Sequence, residues 1–145
     1  MNANKIQELL RRTCGPTFLG VYAIDRLPHP LPPRRPLLLV CNTDKHDKAG
    51  EHWIVLFVDM KGEIFDSLGE RPAKTFELYM DTYCNSYITN ERQLQSITSH
   101  FCGHYCVYYC LMKCLYYLMH EIVGAFSYDT GLNDMIVHKF VCDNL

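Results

Sequence analysis

Apolar residues recur along the chain at several spacings, and each spacing predicts an element. Ile6, Leu9 and Leu10 fall on one helical face behind Asn2 and Asn4, either of which can cap, and Gly15-Pro16 stops the pattern. Residues 37–41 and 52–58 are near-continuous apolar runs of strand length, joined by the polar loop 42–51. Residues 60–62, Met-Lys-Gly, turn the chain back into 63–69, which predicts a β-hairpin with Gly62 at a positive φ. Phe76, Tyr79, Met80 and Tyr83 predict a helix, and residues 86–89 and 93–97 predict short strands. Leu132, Met135, Ile136 and Phe140 mark a last helix. Residues 27–36 hold five prolines with Arg34 and Arg35, so they can neither continue a helix nor sit inside a sheet, and they predict an ordered surface crossing.

Residues 101–119 are nearly all Phe, Tyr, Cys, Leu, Val and Met, and 102–122 predict one long helix. A membrane span is disfavoured by His104, by Lys113, whose ammonium near a span's centre costs about 2.5–3.5 kcal/mol, and by Tyr105, Tyr108, Tyr109, Tyr116 and Tyr117. A helix apolar on all sides is then one surrounded by other elements. Strands followed by a long helix, without βαβ alternation, predict an α+β fold: a mostly antiparallel mixed sheet packed on a central buried helix, with further helices flanking it. Residues 1–145 read as a single domain without repeats or low-complexity segments.

Composition narrows the function. With 48% hydrophobic and 21% charged residues over 145 positions, the chain is globular and long enough to bury a core without metal or disulfide staples. The eight cysteines therefore need another explanation. Residues 1–12 lack the apolar run and cleavage site of a secretory signal, so a reducing compartment and free thiols are expected. A net charge of −2 lacks the field of a nucleic-acid binder, so weak or no nucleic-acid binding is expected.

Cys102-Gly103 opens the long helix, with Thr98, Ser99 and His100 as candidate caps ahead of it. A thiol at a helix N-terminus faces unpaired N–H groups and the positive end of the dipole, both of which favour thiolate. Cys106, Cys110 and Cys114 continue at i, i+4 spacing and read as small core hydrophobes. A cysteine nucleophile needs an imidazole and an acid to orient it. His52 opens one strand and Asp66 lies on the next; pairing Asp59 with Glu63 sets Asp66 opposite position 56, about 13 Å from position 52 along an ideal strand. Gln95, seven residues before Cys102, carries a side-chain amide of the type that stabilises an oxyanion, and Gln93 competes for that role. His100, Cys102, His104, Cys106, Cys110 and Cys114 crowd one region, but no C-x₂-C pair occurs, so no metal is expected.

The order His-Trp, then Phe-Asp-Ser-Leu-Gly, then glutamine, then Cys-Gly on an apolar helix resembles the adenovirus maturation proteases, the adenain family, and more distantly the SUMO-deconjugating proteases. Thr13-Cys-Gly-Pro-Thr-Phe-Leu-Gly-Val-Tyr22 is similar to that family's N-terminal motif Cys-Gly-Pro-x-Phe-Leu-Gly-x-Tyr, and Asn42-Thr43 with Gly50-Glu-His-Trp53 is similar to its approach to the catalytic histidine. The resemblance spans residues 4 to about 120. It implies a cysteine endopeptidase with His52 as base, Asp66 as orienting acid, Gln95 as oxyanion donor and Cys102 as nucleophile. The acid is usually Glu in adenoviral members, and Asp66 matches the SUMO-protease type. The resemblance further implies viral precursor proteins as substrates, cut after a large apolar residue followed by x-Gly-Gly or x-Gly-x, in the virion or the host nucleus or cytoplasm. It implies an activating peptide from a capsid precursor, disulfide-linked to Cys84, which lies eleven residues before Gln95. DNA stimulation is doubtful on charge, with Arg11, Arg12, Arg34 and Arg35 as the places to look, and a monomer is expected. A deconjugating protease for a ubiquitin-like modifier and an inactive module of the same fold are the alternatives.

Overall fold

The computed structural model describes residues 1–50 and 52–145. Helix α1, Ala3–Cys14, is capped by the Asn2 side chain, which accepts from the Lys5 N–H at 2.9 Å, and it buries Ile6, Leu9 and Leu10. Five strands follow: β1 (Phe18–Ala23), β2 (Leu37–Asn42), β3 (Trp53–Val58), β4 (Lys61–Phe65) and β5 (Ser86–Thr89). They form one sheet in sequence order, with antiparallel pairs β2–β3 and β3–β4 at its centre and parallel pairs β1–β2 and β4–β5 at its edges. Helix α2, Lys74–Tyr83, covers one face, and α1, α3 (Cys102–Cys114) and α5 (Thr130–Asn144) cover the other, with α4 (Met119–Gly124) beside them.

Alternate side chains of each strand enter two separate cores. Leu38, Val40, Val55 and Phe65 pack with Tyr105, Cys106, Tyr109 and Cys110 of α3, whereas Leu37, Leu39, Ile54, Leu56 and Ile64 pack with Phe76 and Met80 of α2. A sheet buried on both faces explains why its central strands read as unbroken apolar runs.

Several expectations need correction. The segment Phe18–Ala23, to which the apolar pattern assigns no element, is the edge strand β1. Residues 93–97 form no strand: the N–H groups of Leu94 and Gln95 both donate to one carbonyl, Ser67 O, rather than to a ladder. The helix expected over 102–122 ends at Cys114, where Tyr116 takes a left-handed φ of 68° and α4 starts afresh. No glycine or proline marks that break, so the sequence carries no ordinary stop signal. Gly62 does not adopt a positive φ; a Cβ there would meet Cys84 Sγ at 2.6 Å, Met80 Cε at 2.7 Å and the Phe57 carbonyl oxygen at 3.0 Å, so a larger residue would need those neighbours to shift. The last helix is present, but Leu132, Met135 and Ile136 face outward while Asn133, Asp134, Val137 and Val141 are buried.

Glu63 of β4 is buried against α3, where Tyr109 Oη donates to one carboxylate oxygen and Lys113 Nζ to the other at 3.0 Å. Lys113 also donates to Tyr117 O at 3.0 Å, fastening the broken end of α3, and stands 4.3 Å above the Phe57 ring. Removing one partner of a buried pair strands the other charge. Lys113→Met should therefore destabilise the fold by about 3–5 kcal/mol in chemical denaturation, and adding Glu63→Gln, which keeps an acceptor for Tyr109, should restore most of that loss.

Candidate active site

Strand register brings the site together. Phe57 pairs with Glu63, Leu56 with Ile64 and Val55 with Phe65, so continuation of the ladder sets Asp66 opposite position 54. The expected register was two residues off, and the corrected one halves the offset to His52, to about 6.6 Å along a strand. Side chains close the remainder. His52 stands just before β3 with its carbonyl held by the Thr43 N–H at 2.9 Å, and its Nε2 meets Asp66 Oδ1 at 2.6 Å. With Nε2 engaged, Nδ1 is the nitrogen left for the Cys102 thiol, which lines the same cleft and favours the charged ring.

Asp66 sits one residue past β4 and is held on several sides. Asn90 Oδ1 accepts from its N–H at 2.8 Å, Asn90 Nδ2 donates to its carbonyl at 2.6 Å, and the Leu68 N–H donates to Oδ1 at 2.8 Å. Asn90 thus mimics a strand partner beyond the end of β5 and fixes the carboxylate's backbone.

Cys102 is the first residue of α3, and no side chain caps that end: the N-cap position is Phe101, not Thr98, Ser99 or His100. The N–H groups of Trp53 and Gly103 accordingly favour the thiolate form of the sulphur. Gly103 allows the close approach, since a Cβ there would lie 3.1 Å from Met1 Cβ and 3.5 Å from the Trp53 ring. Burial works against ionisation of Cys102, but the hydrogen bond from His52, the Trp53 N–H, the imidazole charge and the Gly103 N–H together hold the thiol below its ordinary value of 9.0. Burial likewise opposes charge on His52, and Asp66 and Cys102 outweigh it, raising the ring to about 9. Each group thus favours the charged form of the other.

Gln95 is 2% exposed and lines the same cleft as His52, Asp66 and Cys102, whereas Gln93 is exposed and spends its amide on Gln95 O at 2.9 Å. The Gln95 segment is tied to α5: Tyr105 Oη donates to Asp134 at 2.8 Å and to Leu94 O at 3.2 Å, and Asn133 Nδ2 donates to Leu94 O at 3.1 Å. Sequence reasoning missed Ser67, Asn90, Asn133 and Asp134, because a polar side chain that serves a loop follows no period. Cys84 stands elsewhere, half-buried at the C-terminus of α2 against Gly62, and burial raises its thiol above the ordinary range.

The cleft encloses about 680 Å³, and its lining includes Ile54, Ile64, Phe76, Trp53, Ser99 and His100. A larger cavity of about 800 Å³ lies between β5 and the α3–α4 corner over the Glu63–Lys113 pair, and none of the four site residues lines it. His104 contacts Phe101 and His138 and is driven down to about 4 by burial, so it is a neutral ring. Among the described residues, no group of three or more His, Cys, Asp or Glu side chains is placed to hold a metal, and no helix is long and apolar enough to cross a membrane.

The α+β fold, with a mixed five-stranded sheet and a thiol-bearing helix against its central strands, is shared with a protease of known structure. The crystal structure of ASFV pS273R protease matches 94% of this chain with a TM-score of 0.70 and 17% identity, and its selenomethionine form matches 72% with a TM-score of 0.54 and 21% identity. The chain spans less than two thirds of those proteins, 66% and 44% of their respective lengths. No family model matches the sequence, and no curated protein does.

Ionisation of the pair is directly measurable. In a Cys142→Ser background, which removes the exposed competing thiol, alkylation of Cys102 by iodoacetamide should persist well below pH 9, and Asp66→Asn should move its midpoint upward by about one pH unit. Since His52 is raised from 6.5 to about 9, the stabilisation carried by its charged form is complete below pH 6.5 and is lost as pH rises through about 9. A histidine resonance titrating near 9, and falling in Asp66→Asn, checks that sign.

Proposed function

We propose that this chain is a cysteine endopeptidase whose nucleophile is Cys102. The observation that carries the reading is the connected set of Asp66, His52 and Cys102, with the thiol lowered and the imidazole raised, on a fold shared with a protease.

The Cys102 thiolate attacks the carbonyl carbon of a peptide bond, forming a C–S bond and placing the carbonyl electron pair on oxygen. The Gln95 side-chain amide and the backbone N–H of Cys102 receive that oxyanion. Collapse of the adduct breaks the C–N bond, and the proton on His52 passes to the leaving amine. Water then attacks the thioester, His52 takes its proton, and release of the carboxylic acid regenerates the thiolate. Asp66 keeps the ring aligned and stabilises its charge throughout.

The substrates we propose are viral precursor proteins, cut at Gly-containing sites that follow a large apolar residue. Ile54, Ile64 and Phe76 at the floor of the cleft, though nearly buried, are in keeping with an apolar anchor, and glycine suits a cleft in which Trp53 stands beside the thiol. We place the activity in the virion and the host nucleus or cytoplasm, a reducing setting in keeping with eight free thiols. Nucleic acid contributes little in this reading. Arg34 and Arg35 spend guanidinium donors on the carbonyls of Pro16, Pro32 and Arg34, and Arg12 donates to Leu145 O at 2.9 Å.

Cleavage of a peptide library, of a fluorogenic Gly-Gly amide and of a SUMO fusion by the purified protein tests the reading and identifies the substrate class. Cys102→Ala should lower kcat/KM by at least about a thousandfold while the fold is retained, and persistent cleavage would falsify the assignment. Preference for the SUMO fusion would instead mark a deconjugating enzyme. Activation by a capsid-precursor peptide through Cys84 is a separate proposal, and the half-buried thiol beside the open edge strand β5 is its support. Cys84→Ser should then abolish stimulation by such a peptide without changing basal kcat/KM; full activity of the lone chain, unaltered by any precursor peptide, would refute it.

A further inference from the structure

Gln95 is held by both ends of its amide. Ser67 Oγ donates to Oε1 at 2.6 Å, and Nε2 donates to Ser99 O at 3.1 Å. Both side chains are out of solvent, Ser67 at 1% and Gln95 at 2% exposed. Ser67 also grips the Gln95 backbone, because its carbonyl accepts from the N–H groups of Leu94 at 2.8 Å and Gln95 at 3.0 Å. The serine follows Asp66 directly in the chain, so one dipeptide serves two parts of the site.

Resting on the protease reading above, we propose that Ser67 is a positioning residue for the oxyanion donor: its hydroxyl fixes the Gln95 amide with Nε2 on the cleft side. A flipped amide would set Oε1 against the Ser99 carbonyl, two acceptors face to face, so the observed orientation is selected. In that orientation Oε1 is a buried acceptor, costly without a partner, and among the described residues the Ser67 hydroxyl is the donor that meets it. Take the hydroxyl away, and the amide gains by rotating toward another donor, which carries Nε2 off the oxyanion position. The hydroxyl also polarises the amide through O–H···O=C, making its N–H a better donor to a developing negative charge. Nε2 carries a second hydrogen beyond the one shared with Ser99, and that hydrogen is the one the oxyanion would receive.

The test is a double-mutant cycle on the fluorogenic Gly-Gly amide, with Cys102 alkylation as a parallel readout. Ser67→Ala should lower kcat about tenfold with little change in KM, and leave the pH profile of Cys102 alkylation unmoved, since the thiol, His52 and Asp66 are untouched. In a Gln95→Ala background the same substitution should cost nothing further, because there is no amide left to hold. Ser67→Cys, which keeps a weak donor of similar size, should fall between wild type and Ser67→Ala, and it serves as the readable variant if the alanine form folds poorly. Equal losses from Ser67→Ala in both backgrounds, or a shifted alkylation profile, would mark a merely structural role and overturn the inference. Wild-type kcat in Ser67→Ala together with a collapse in Gln95→Ala would overturn it while leaving the protease reading intact. Unchanged kcat in Gln95→Ala would remove the oxyanion assignment and this inference with it, and cleavage by Cys102→Ala would remove the protease reading as a whole.

Discussion

The pairing of β3 with β4 determines whether this molecule has a site at all. With Phe57 opposite Glu63, Asp66 falls opposite position 54, two positions from His52 and of the same parity, and a 2.6 Å hydrogen bond closes between them. A slip by one residue would turn Asp66 to the other face of the sheet and expose the alternating rows that fill two cores. The register is therefore set by bulk hydrophobic burial at Val55, Leu56, Ile64 and Phe65, and the chemistry depends on that packing. Helix α3 completes the arrangement from the opposite direction, since its buried tyrosines and cysteines fix the height at which Cys102 meets the strand ends.

Eight thiols share one chain, and the environments sort them. Burial drives Cys106 and Cys110 well above the ordinary range, so they remain neutral core atoms, and Cys41 behaves likewise within β2. Cys102 is also substantially buried, yet it is pulled down, because a hydrogen-bonded imidazole and two backbone N–H groups meet its sulphur where the helix is uncapped. The same i, i+4 stripe thus carries one lowered thiol, Cys102, and three raised ones, Cys106 and Cys110 in the core and Cys114 partly buried at the helix end. Position relative to the helix end decides between them, and residue type does not.

The sequence made the elements with strong periodicity legible, along with the four residues that the structure gathers in one cleft. The paired strands of the hairpin, the capped first helix and the apolar helix as far as Cys114 follow from spacing, although the hairpin turns at residues 59–60 and Gly62 lies inside β4. What was not legible has particular causes. Strand β1 lies at a sheet edge beside a 3₁₀ turn and a glycine, which blunt its pattern. The break after Cys114 depends on a tyrosine in a left-handed conformation, a tertiary effect held by the Lys113 contact to Tyr117 O. Helix α5 reverses the usual amphipathic rule by burying Asn133 and Asp134, because those groups satisfy loop carbonyls and amides that face the core.

That reversal explains how a segment without regular structure can hold Gln95, the proposed oxyanion donor, in one orientation. Residues 93–97 cannot lend Gln95 the rigidity of a strand, so the rigidity comes from side chains: Ser67 and Ser99 at the amide, Tyr105 and Asn133 at the Leu94 carbonyl, and Asp134 at the Ser96 N–H. Each of these bonds alone contributes about 1 kcal/mol, and leaving any buried member unpaired costs more than the bond gains. A network of this kind is stable only when nearly all of it is made, which turns many weak contacts into one well-defined geometry. Electrostatic stabilisation of an oxyanion needs such a donor fixed in advance, because reorganisation during the reaction would consume the benefit. The polar face of α5 is thus as much a part of the site as the cleft that it stands behind.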